Sequence, residues 1–467
     1  MKIRKRDISS ESSWIRSDSE DFETRLTGLD YLLGNVAVRR VIYFDQPLDA
    51  GSVRQSLEKV LRLYPIVEGR IKHCDGGFCI RTDERGVLFK EATVELPMPE
   101  VGFSSRPHDA SLFVPDLSAK GIMRGEEPIC KIQLTNFQNG AILGVCSSHI
   151  LVDGSIWNFL LDWAGYTNQK EVETRPIIDR DEYYDLARGD GAHPPAGFPY
   201  AELTTTAKLK MGYCLLKGLR ENETQYIYFD PASLEALKSL AGGAKLSRFD
   251  LLGAMLMKLV ADAPPERSEL INYYAVYNLR LMPGMSIPEA YMGNALVPVD
   301  VEFRVAELRS QSVAEIAQRI RNLKDNFTQQ SVGENIAFLQ RLVRENGLDA
   351  RGNIKGLMQL GLYKSLCEGG FIYNVWAFPI YDFIVQGNKP VWYDIAESVA
   401  VKSVNKVIVL PSPSGGLLVR ITTTKRRMRS LLAQLSVEKF QPDPDRIKGL
   451  SVTEIDAVSR TDGKTWT

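Results

Sequence analysis

The most informative segment of the chain reads Ser148-His149-Ile150-Leu151-Val152-Asp153-Gly154. Residues 141–146, directly before it, form a short apolar run of the kind a buried strand shows. Asp153-Gly154 is a turn signal, because glycine tolerates the positive φ that ends an extended segment. Apolar residues then recur at helical spacing and would face a core: Ile156, Phe159, Leu160, Trp163 and Ala164. We therefore expect His149 at the end of a strand and Asp153 in the turn that follows.

A histidine at a strand end is suited to proton transfer, since its ordinary pKa lies close to neutral pH. As a general base, His149 would take a proton from a hydroxyl or amine while that group attacks an activated acyl carbon. Such help is worth about 100- to 10,000-fold in rate. A thioester suits this chemistry, because a thiolate leaves more readily than an alkoxide. A bare His-x-x-x-Asp pattern also fits a partly buried histidine that only hydrogen-bonds to its surroundings, and by itself favours that interpretation.

Asp153 has two possible roles. Its carboxylate could orient His149, as in a catalytic triad, or it could be the buried partner of an arginine. We favour the arginine, because a side chain that follows the turn would point away from a channel into which His149 faces.

The size and charge of the chain limit the classes of function. Its 467 residues predict two domains, and 44% hydrophobic and 25% charged residues are ordinary for a folded soluble protein. The net charge of −1 predicts neither nucleic acid nor a membrane as the main partner. The first fourteen residues lack the apolar run of a signal peptide and no later segment has transmembrane length, so we expect a cytoplasmic protein.

Cysteine and histidine spacing predicts no metal site. The six cysteines are scattered, without a Cys-x-x-Cys pair or a zinc-binding pattern. Cys74 and Cys79 could pair across a hairpin, but we expect the cysteines to be reduced. The chain also lacks three familiar motifs. It has no Gly-x-Ser-x-Gly elbow of serine hydrolases, no phosphate-binding P-loop, and no Gly-x-Gly-x-x-Gly after a strand.

The order of elements predicts a mixture of α and β structure in two similar halves. We expect a first domain over 1–185, a crossover linker over 186–215, which opens with many glycines and prolines, and a second domain over 216–467. Strand-like runs occupy 40–44, 78–82, 129–134, 226–229, 405–410 and 416–421. Helix starts are predicted at Asp230-Pro231 and at the capping box Ser312-x-x-Glu315.

Taken together, the ordered motifs resemble the BAHD acyltransferases, acyl-CoA-dependent enzymes of the chloramphenicol acetyltransferase-like superfamily. The family's His-x-x-x-Asp-Gly and following helix correspond to HILVDGSIWNFLLDWA at 149–164, and the resemblance runs from about residue 26 to 435. Supporting segments are Leu26-Thr27-Gly28-Leu29-Asp30, Leu63-Tyr64-Pro65-Ile66-Val67-Glu68-Gly69-Arg70, Leu246-Ser247-Arg248-Phe249-Asp250, Asn278-Leu279-Arg280, Tyr291-Met292-Gly293-Asn294, Phe378-Pro379-Ile380-Tyr381 and Lys389-Pro390-Val391-Trp392.

The resemblance implies a two-domain α/β fold of the chloramphenicol acetyltransferase type, with mixed sheets flanked by helices and an active-site channel between the domains. The segment near 370–400 would pack back on the first domain. His149 would be the base in a transfer from acyl-CoA to an alcohol or amine of a small specialised metabolite, without an acyl-enzyme, a metal or a permanently bound cofactor. We expect a monomer with acyl-CoA and a small acceptor as its partners.

The chain departs from the family at one motif. Where the family has Asp-Phe-Gly-Trp-Gly, residues 384–388 read Ile-Val-Gln-Gly-Asn. The aspartate of that motif is thought to pair with an arginine and support the fold. We therefore predict that Asp382, two residues earlier, pairs with Arg280 in its place, and that the chain is a divergent member of the family.

The resemblance also suggests residues for the oxyanion and the donor. Asn374-Val375-Trp376 stands where the family has Thr/Ser-x-Trp. The Asn374 amide could donate a hydrogen bond to the oxyanion, or could bond to neighbouring backbone. Trp376 could line the substrate pocket or pack in the core. Lys245, Ser247 and Arg248 could meet the phosphates of CoA.

Two other functions remain open. One is a condensation-like enzyme that takes its acyl group from a carrier protein; such enzymes usually have His-His-x-x-x-Asp-Gly, but here the first position is Ser148. The other is a catalytically silent CoA-binding scaffold, which only the loss of Asp-Phe-Gly-Trp-Gly favours.

Overall fold

The structure is a computed structural model that describes residues 3–34, 36–75, 77–99, 110–184, 186–262, 269–282, 284–325, 327–397 and 400–435. Its strands, in chain order, are β1 (Ser9–Ile15), β2 (Glu23–Arg25), β3 (Ala37–Phe44), β4 (Gly69–Cys74), β5 (Gly77–Thr82), β6 (Val87–Thr93), β7 (Cys130–Phe137), β8 (Gly140–Ser148), β9 (Tyr200–Glu202), β10 (Asn222–Phe229), β11 (Leu270–Asn278), β12 (Leu296–Arg304), β13 (Leu357–Gln359), β14 (Phe371–Val375), β15 (Trp392–Ile395), β16 (Lys406–Pro411) and β17 (Leu417–Thr424).

The helices are α1 (Ala50–Leu61), α2 (Ala119–Met123), α3 (Ile156–Thr167), α4 (Asp181–Tyr184), α5 (Thr205–Glu221), α6 (Pro231–Ser239), α7 (Arg248–Val260), α8 (Val305–Ser310), α9 (Val313–Asp325), α10 (Gln329–Asn346), α11 (Leu360–Cys367) and α12 (Lys425–Leu435). Both predicted helix starts are present. Asp230 caps α6 through the Ser233 N–H at 2.7 Å, and Ser312 and Glu315 form the capping box of α9. No described helix has the length and apolar character needed to cross a bilayer.

Two six-stranded mixed sheets form the frame of the molecule. The first has the order β1-β6-β7-β8-β3-β15, and the second has the order β10-β17-β16-β14-β11-β12. β8 lies inside the first sheet, and every residue of it is buried, because its small and apolar side chains let both neighbours and both faces close over it. These two sheets with their flanking helices confirm the predicted two-domain α/β fold.

The two domains are joined by a strand that changes sheets. β14 belongs to the second sheet, but β15, next along the chain, pairs antiparallel with β3 at the edge of the first. Residues 371–375 of the segment predicted near 370–400 therefore stay in the second domain. The short linker between β15 and β16 supplies Glu397, which forms buried ion pairs with Lys406 and Arg420 of the second sheet, each at 3.0 Å. Burial lowers the pKa of Lys406 to about 8, although Glu397 opposes the shift.

The predicted linker over 186–215 is too long at its end. The breaker-rich composition stops at Pro199, and Thr204 then caps the 17-residue helix α5 by accepting a hydrogen bond from the Ala207 N–H at 3.2 Å. The predicted boundary at residue 216 consequently falls inside a helix.

Candidate active site

His149 directly follows β8, as the sequence predicts. The backbone N–H of His149 donates to the backbone carbonyl of Val36 at 2.8 Å, which continues the pairing of β8 with β3 by one residue. The backbone under the imidazole is therefore held by a sheet rather than by a free loop. A side chain on such a support has a well-defined position.

Asn294 holds the imidazole from the second half of the chain. Its Nδ2 donates to the carbonyl of His149 at 2.8 Å and to Oδ1 of Asp30 at 2.9 Å. A carbonyl and a carboxylate only accept, so the orientation of the Asn294 amide is determined. Its Oδ1 then faces Nδ1 of His149 at 2.9 Å and must accept a hydrogen bond from the Nδ1–H group. The neutral ring therefore carries its proton on Nδ1 and its lone pair on Nε2.

The environment of His149 favours the neutral ring. Burial lowers the pKa of His149, and the nearby Asp153 carboxylate opposes that shift without overcoming it. Nε2 has no hydrogen-bond partner among the residues that the structure describes. At neutral pH the ring thus presents an unoccupied lone pair, which is what a general base needs.

Asp153 pairs with Arg280 across the two domains. Nη1 of Arg280 donates to Oδ2 of Asp153 at 2.8 Å, and both side chains are buried. Burial alone would raise the pKa of Asp153, but Arg280 and the N–H groups of Ser155 and Ala295 lower it. None of the hydrogen bonds of this carboxylate goes to His149. The geometry therefore matches the arginine-partner interpretation rather than a triad.

Arg280 also binds the chain that leads to Asn294. Its Nη2 donates to the carbonyls of Tyr291 and Gly293, each at 2.8 Å. The ion pair with Asp153 therefore joins the turn after His149 to the loop that carries Asn294.

A second buried ion pair, between Asp30 and Arg180 at 3.0 Å, also holds the chain next to His149. Arg180 donates to the carbonyls of Ile150 and Leu151, which directly follow the histidine. Asp30, Arg180 and Asn294 were not predicted as site residues from the sequence. Asp30 and Asn294 do lie in the family-like segments 26–30 and 291–294. Their place in these segments was the only sequence feature that pointed to a role in the site.

The predicted pair between Asp382 and Arg280 is wrong. Asp382 ends a short 3-10 helix (Ile380–Asp382), is exposed, and has no ion pair among the described residues. The reason is that both terminal nitrogens of Arg280 are already occupied, Nη1 by Asp153 and Asn278 and Nη2 by Ser155 and two carbonyls.

Gly154 allows the turn to pack closely. A Cβ at this position would lie 2.3 Å from the ring of Phe378, which itself stacks on Trp157 at 6.1 Å between centroids. Any larger residue at 154 would push this aromatic group away from the turn that carries Asp153.

Asn374 and Trp376 lie at the end of β14. Asn374 pairs in register with Ile408, a residue of the apolar core continuous with the first domain, so its side chain faces the domain boundary. It is partly exposed and makes no side-chain hydrogen bond within the described residues. Trp376 is partly buried against the same core and contacts Phe378 at 5.9 Å between ring centroids.

The three residues suggested for CoA phosphates have different surroundings. Ser247 caps α7, and its hydroxyl is bonded to Asp250 at 2.7 Å. Lys245 is exposed, and the Arg248 guanidinium lies 5.4 Å from the Phe249 ring centroid. Of the three, Lys245 projects into solvent and Ser247 is engaged in the structure of the helix start. No group of three or more potential metal ligands occurs in the described part of the chain.

Comparison with known proteins identifies the family. The model of the Transferase family matches residues 13–436, which is most of the chain. The chain belongs to the BAHD acyltransferases. Among curated members, tryptamine hydroxycinnamoyltransferase 2 of Oryza sativa subsp. japonica is 26% identical over 61% of this chain and 65% of its own length, just under two thirds. Rosmarinate synthase of Plectranthus scutellarioides is also 26% identical, over 82% of this chain and 86% of its own.

Solved structures show the same fold for this BAHD member. Vinorine synthase superimposes with a TM-score of 0.64 at 16% identity, covering 93% of this chain and 99% of its own. F. graminearum TRI101, solved with coenzyme A and deoxynivalenol, gives 0.63 at 15% identity, covering 90% and 98%. The condensation domain of the Monacolin K polyketide synthase MokA gives 0.54 at 10% identity, covering 90% and 98%.

Proposed function

We propose that this BAHD protein transfers an acyl group from an acyl-CoA thioester to a hydroxyl or amine of a small specialised metabolite, with His149 as the general base. The observation that carries the proposal is the hydrogen bond from His149 Nδ1 to Asn294, which leaves Nε2 without a partner among the described residues. Curated relatives named as hydroxycinnamoyltransferase and rosmarinate synthase support the reaction class. The coenzyme A in TRI101 supports the donor.

In the proposed reaction, Nε2 of His149 accepts the proton of the acceptor hydroxyl or amine as its oxygen or nitrogen bonds to the thioester carbon. The collapse of the tetrahedral intermediate breaks the carbon–sulfur bond, and the proton on His149 passes to the departing CoA thiolate. Proton and acyl group are both accounted for without an acyl-enzyme. Acyl-CoA would be a co-substrate of a monomeric cytoplasmic enzyme, and the six free cysteines are consistent with a reducing compartment.

Asn374 is our candidate donor to the oxyanion of that intermediate. Its free side-chain amide on the face of β14 that meets the first domain is consistent with this role. Loss of an oxyanion donor costs about 100- to 1,000-fold in kcat. Asn374→Thr, which restores a family-like hydroxyl, should therefore keep more activity than Asn374→Ala.

The first experiment measures thiol release from a panel of acyl-CoAs with pooled alcohols and amines, using the native protein and His149→Ala. We expect acceptor-dependent release that falls about 100- to 10,000-fold in the variant. His193→Ala is the matched control and should leave the rate unchanged. Undiminished release by His149→Ala would disprove the assigned base. Turnover only with an acyl-pantetheinyl carrier protein would favour the condensation-like alternative, and CoA binding without turnover would favour a silent scaffold.

A further inference from the structure

Helix α5 presents an apolar stripe to solvent. Leu209, Tyr213 and Leu216 are 72%, 68% and 64% exposed, among the most exposed large apolar side chains in the described residues. Their spacing of four and three residues places them on one side of the helix. Isolated exposed leucines are common, but a stripe of three on one exposed helix face indicates an interaction surface.

The opposite side of α5 attaches the helix to the second domain. Ala207 and Gly218 are the buried residues of the helix. A Cβ on Gly218 would lie 2.5 Å from the carbonyl oxygen of Ser403, so the two backbones are in direct contact. Because this side is fixed to the domain, the apolar stripe points outward and has no partner within the described part of the chain.

Basic residues border the stripe. Lys208 lies on one flank, Lys210 and Lys217 lie on the other, and Arg220 follows Leu216. Lys210 pairs with Glu368 at 3.0 Å and Lys217 with Glu221 at 3.8 Å, whereas Lys208 and Arg220 have no salt bridge among the described residues. The only acidic residue of the helix is Glu221, at its last position. Lys425, at the start of α12, lines the same surface cleft as Arg220, and this cleft also contains Glu221, Glu302 and Glu368.

We propose that this surface, formed by Leu209, Tyr213 and Leu216 with Lys208, Lys210, Lys217 and Arg220, docks on an anionic lipid bilayer. An apolar stripe bordered by lysines is the pattern of helices that lie in a membrane interface. Leu209 and Leu216 insert between the upper parts of the acyl chains, and Tyr213 lies at the depth of the lipid headgroups, where tyrosine is enriched. The lysine stems lie along the apolar surface while their ammonium groups reach the lipid phosphates and carboxylates.

A lipid surface fits better than a protein. Protein interfaces are depleted of lysine, whereas this stripe has lysine on both flanks. Pairing of α5 with α5 of a second copy would also bring two basic surfaces together, and like charges oppose that contact. The net charge of −1 gives no sign of this surface, because a net charge is a sum over the whole chain and does not show where basic residues cluster.

Docking through α5 leaves the catalytic region free. Leu270 at the start of β11 lines the cleft beside α5, and Asn278 at its end bonds to Arg280 of the active site. The nine residues of β11 put about 30 Å between these two points. Changes on the stripe should therefore not alter the chemical step.

The test is co-sedimentation of the full chain with vesicles of phosphatidylcholine alone or with about 30% phosphatidylserine. We expect binding to the phosphatidylserine vesicles that is lost in about 0.5 M NaCl. Leu209→Ser with Leu216→Ser should weaken binding at least tenfold, and Lys208→Ala should weaken it about fivefold. Leu240→Ser with Lys355→Ala changes an exposed leucine and lysine elsewhere and should bind as the native protein does. All variants should keep native melting temperatures.

Three results would overturn the proposal. One is absence of binding to both vesicle types, and another is equal binding by the stripe variant and the native protein. The third is a concentration-dependent dimer in sedimentation velocity that the stripe variant abolishes, which would assign the surface to self-association.

Discussion

The two buried ion pairs beside His149 are both formed by an aspartate and an arginine, but they bind different parts of the chain. Asp153–Arg280 joins the turn after His149 to the backbone at 291–295. Asp30–Arg180 holds the carbonyls after His149, and the second oxygen of Asp30 also bonds to Nδ2 of Asn294. Only Asp30 therefore contacts a side chain that touches the imidazole. We infer that Asp153 stabilises the assembly of the site, whereas Asp30 also sets the orientation of the His149 imidazole through Asn294.

The largest effect should come from breaking the pair across the domains. Asp153→Ala leaves the Arg280 guanidinium buried without its carboxylate, which costs about 3–5 kcal/mol in the free energy of unfolding. Chemical denaturation measures this cost, and Asp153→Asn serves if the alanine variant does not fold. Asp181→Ala is the control, since Asp181 meets Arg25 at 3.0 Å on the surface and should lose less than about 1 kcal/mol. Equal losses in both variants would contradict the structural role of Asp153.

Asp30→Asn tests whether Asp30 orients the His149 imidazole in addition to stabilising the fold. We expect kcat to fall roughly 10- to 100-fold more than in Asp153→Asn when both are assayed well below their melting temperatures, because a small displacement of a base is costly. The KM values should change less than kcat, since neither aspartate is placed to bind substrate. Equal values of kcat in the two variants would show that Asp30 does not act through Asn294.

The pH profile examines the contact between Asn294 and His149. Because burial lowers the pKa of His149, the native acid limb of kcat/KM should lie below the ordinary histidine pKa of about 6.5. Asn294→Asp places a carboxylate against Nδ1, which stabilises the imidazolium and raises the pKa, so the acid limb should move to higher pH. Asn346→Asp makes the same charge change on an exposed residue and should leave the limb in place. An unmoved limb in Asn294→Asp would mean that the limb reports another group.

The smallest effect is expected at Asp382. This residue is exposed and has no ion pair among the described residues, so Asp382→Ala should change the free energy of unfolding by less than about 0.5 kcal/mol. Thermal melting provides the measurement. A clear loss of stability would revive the pairing with Arg280 predicted from the sequence.

Local patterns in the sequence predicted what depends on neighbouring residues. The strand, turn and helix around His149 follow from apolar spacing and from Asp153-Gly154, and the ordered motifs predicted the two-domain fold. The preference for an arginine partner of Asp153 also followed from the direction of the turn.

Contacts between residues far apart in the chain could not be predicted from the sequence. Asn294 is 145 residues from His149 and Asp30 is 264 residues from Asn294, and no local period links such positions. The Asp382 prediction failed because the partner of Arg280 is Asp153, which lies 127 residues away in the chain. The basic surface of α5 was missed because net charge carries no information about where charges lie.

The most direct test of the account is the protonation state of His149, observed by nitrogen NMR of the protein labelled only at histidine. The chain has four histidines, and the signal lost in His149→Gln identifies the residue. At neutral pH we predict a neutral ring with its proton on Nδ1 and an unprotonated Nε2. A proton on Nε2, or an imidazolium at neutral pH, would contradict the assignment of His149 as a base held ready by Asn294.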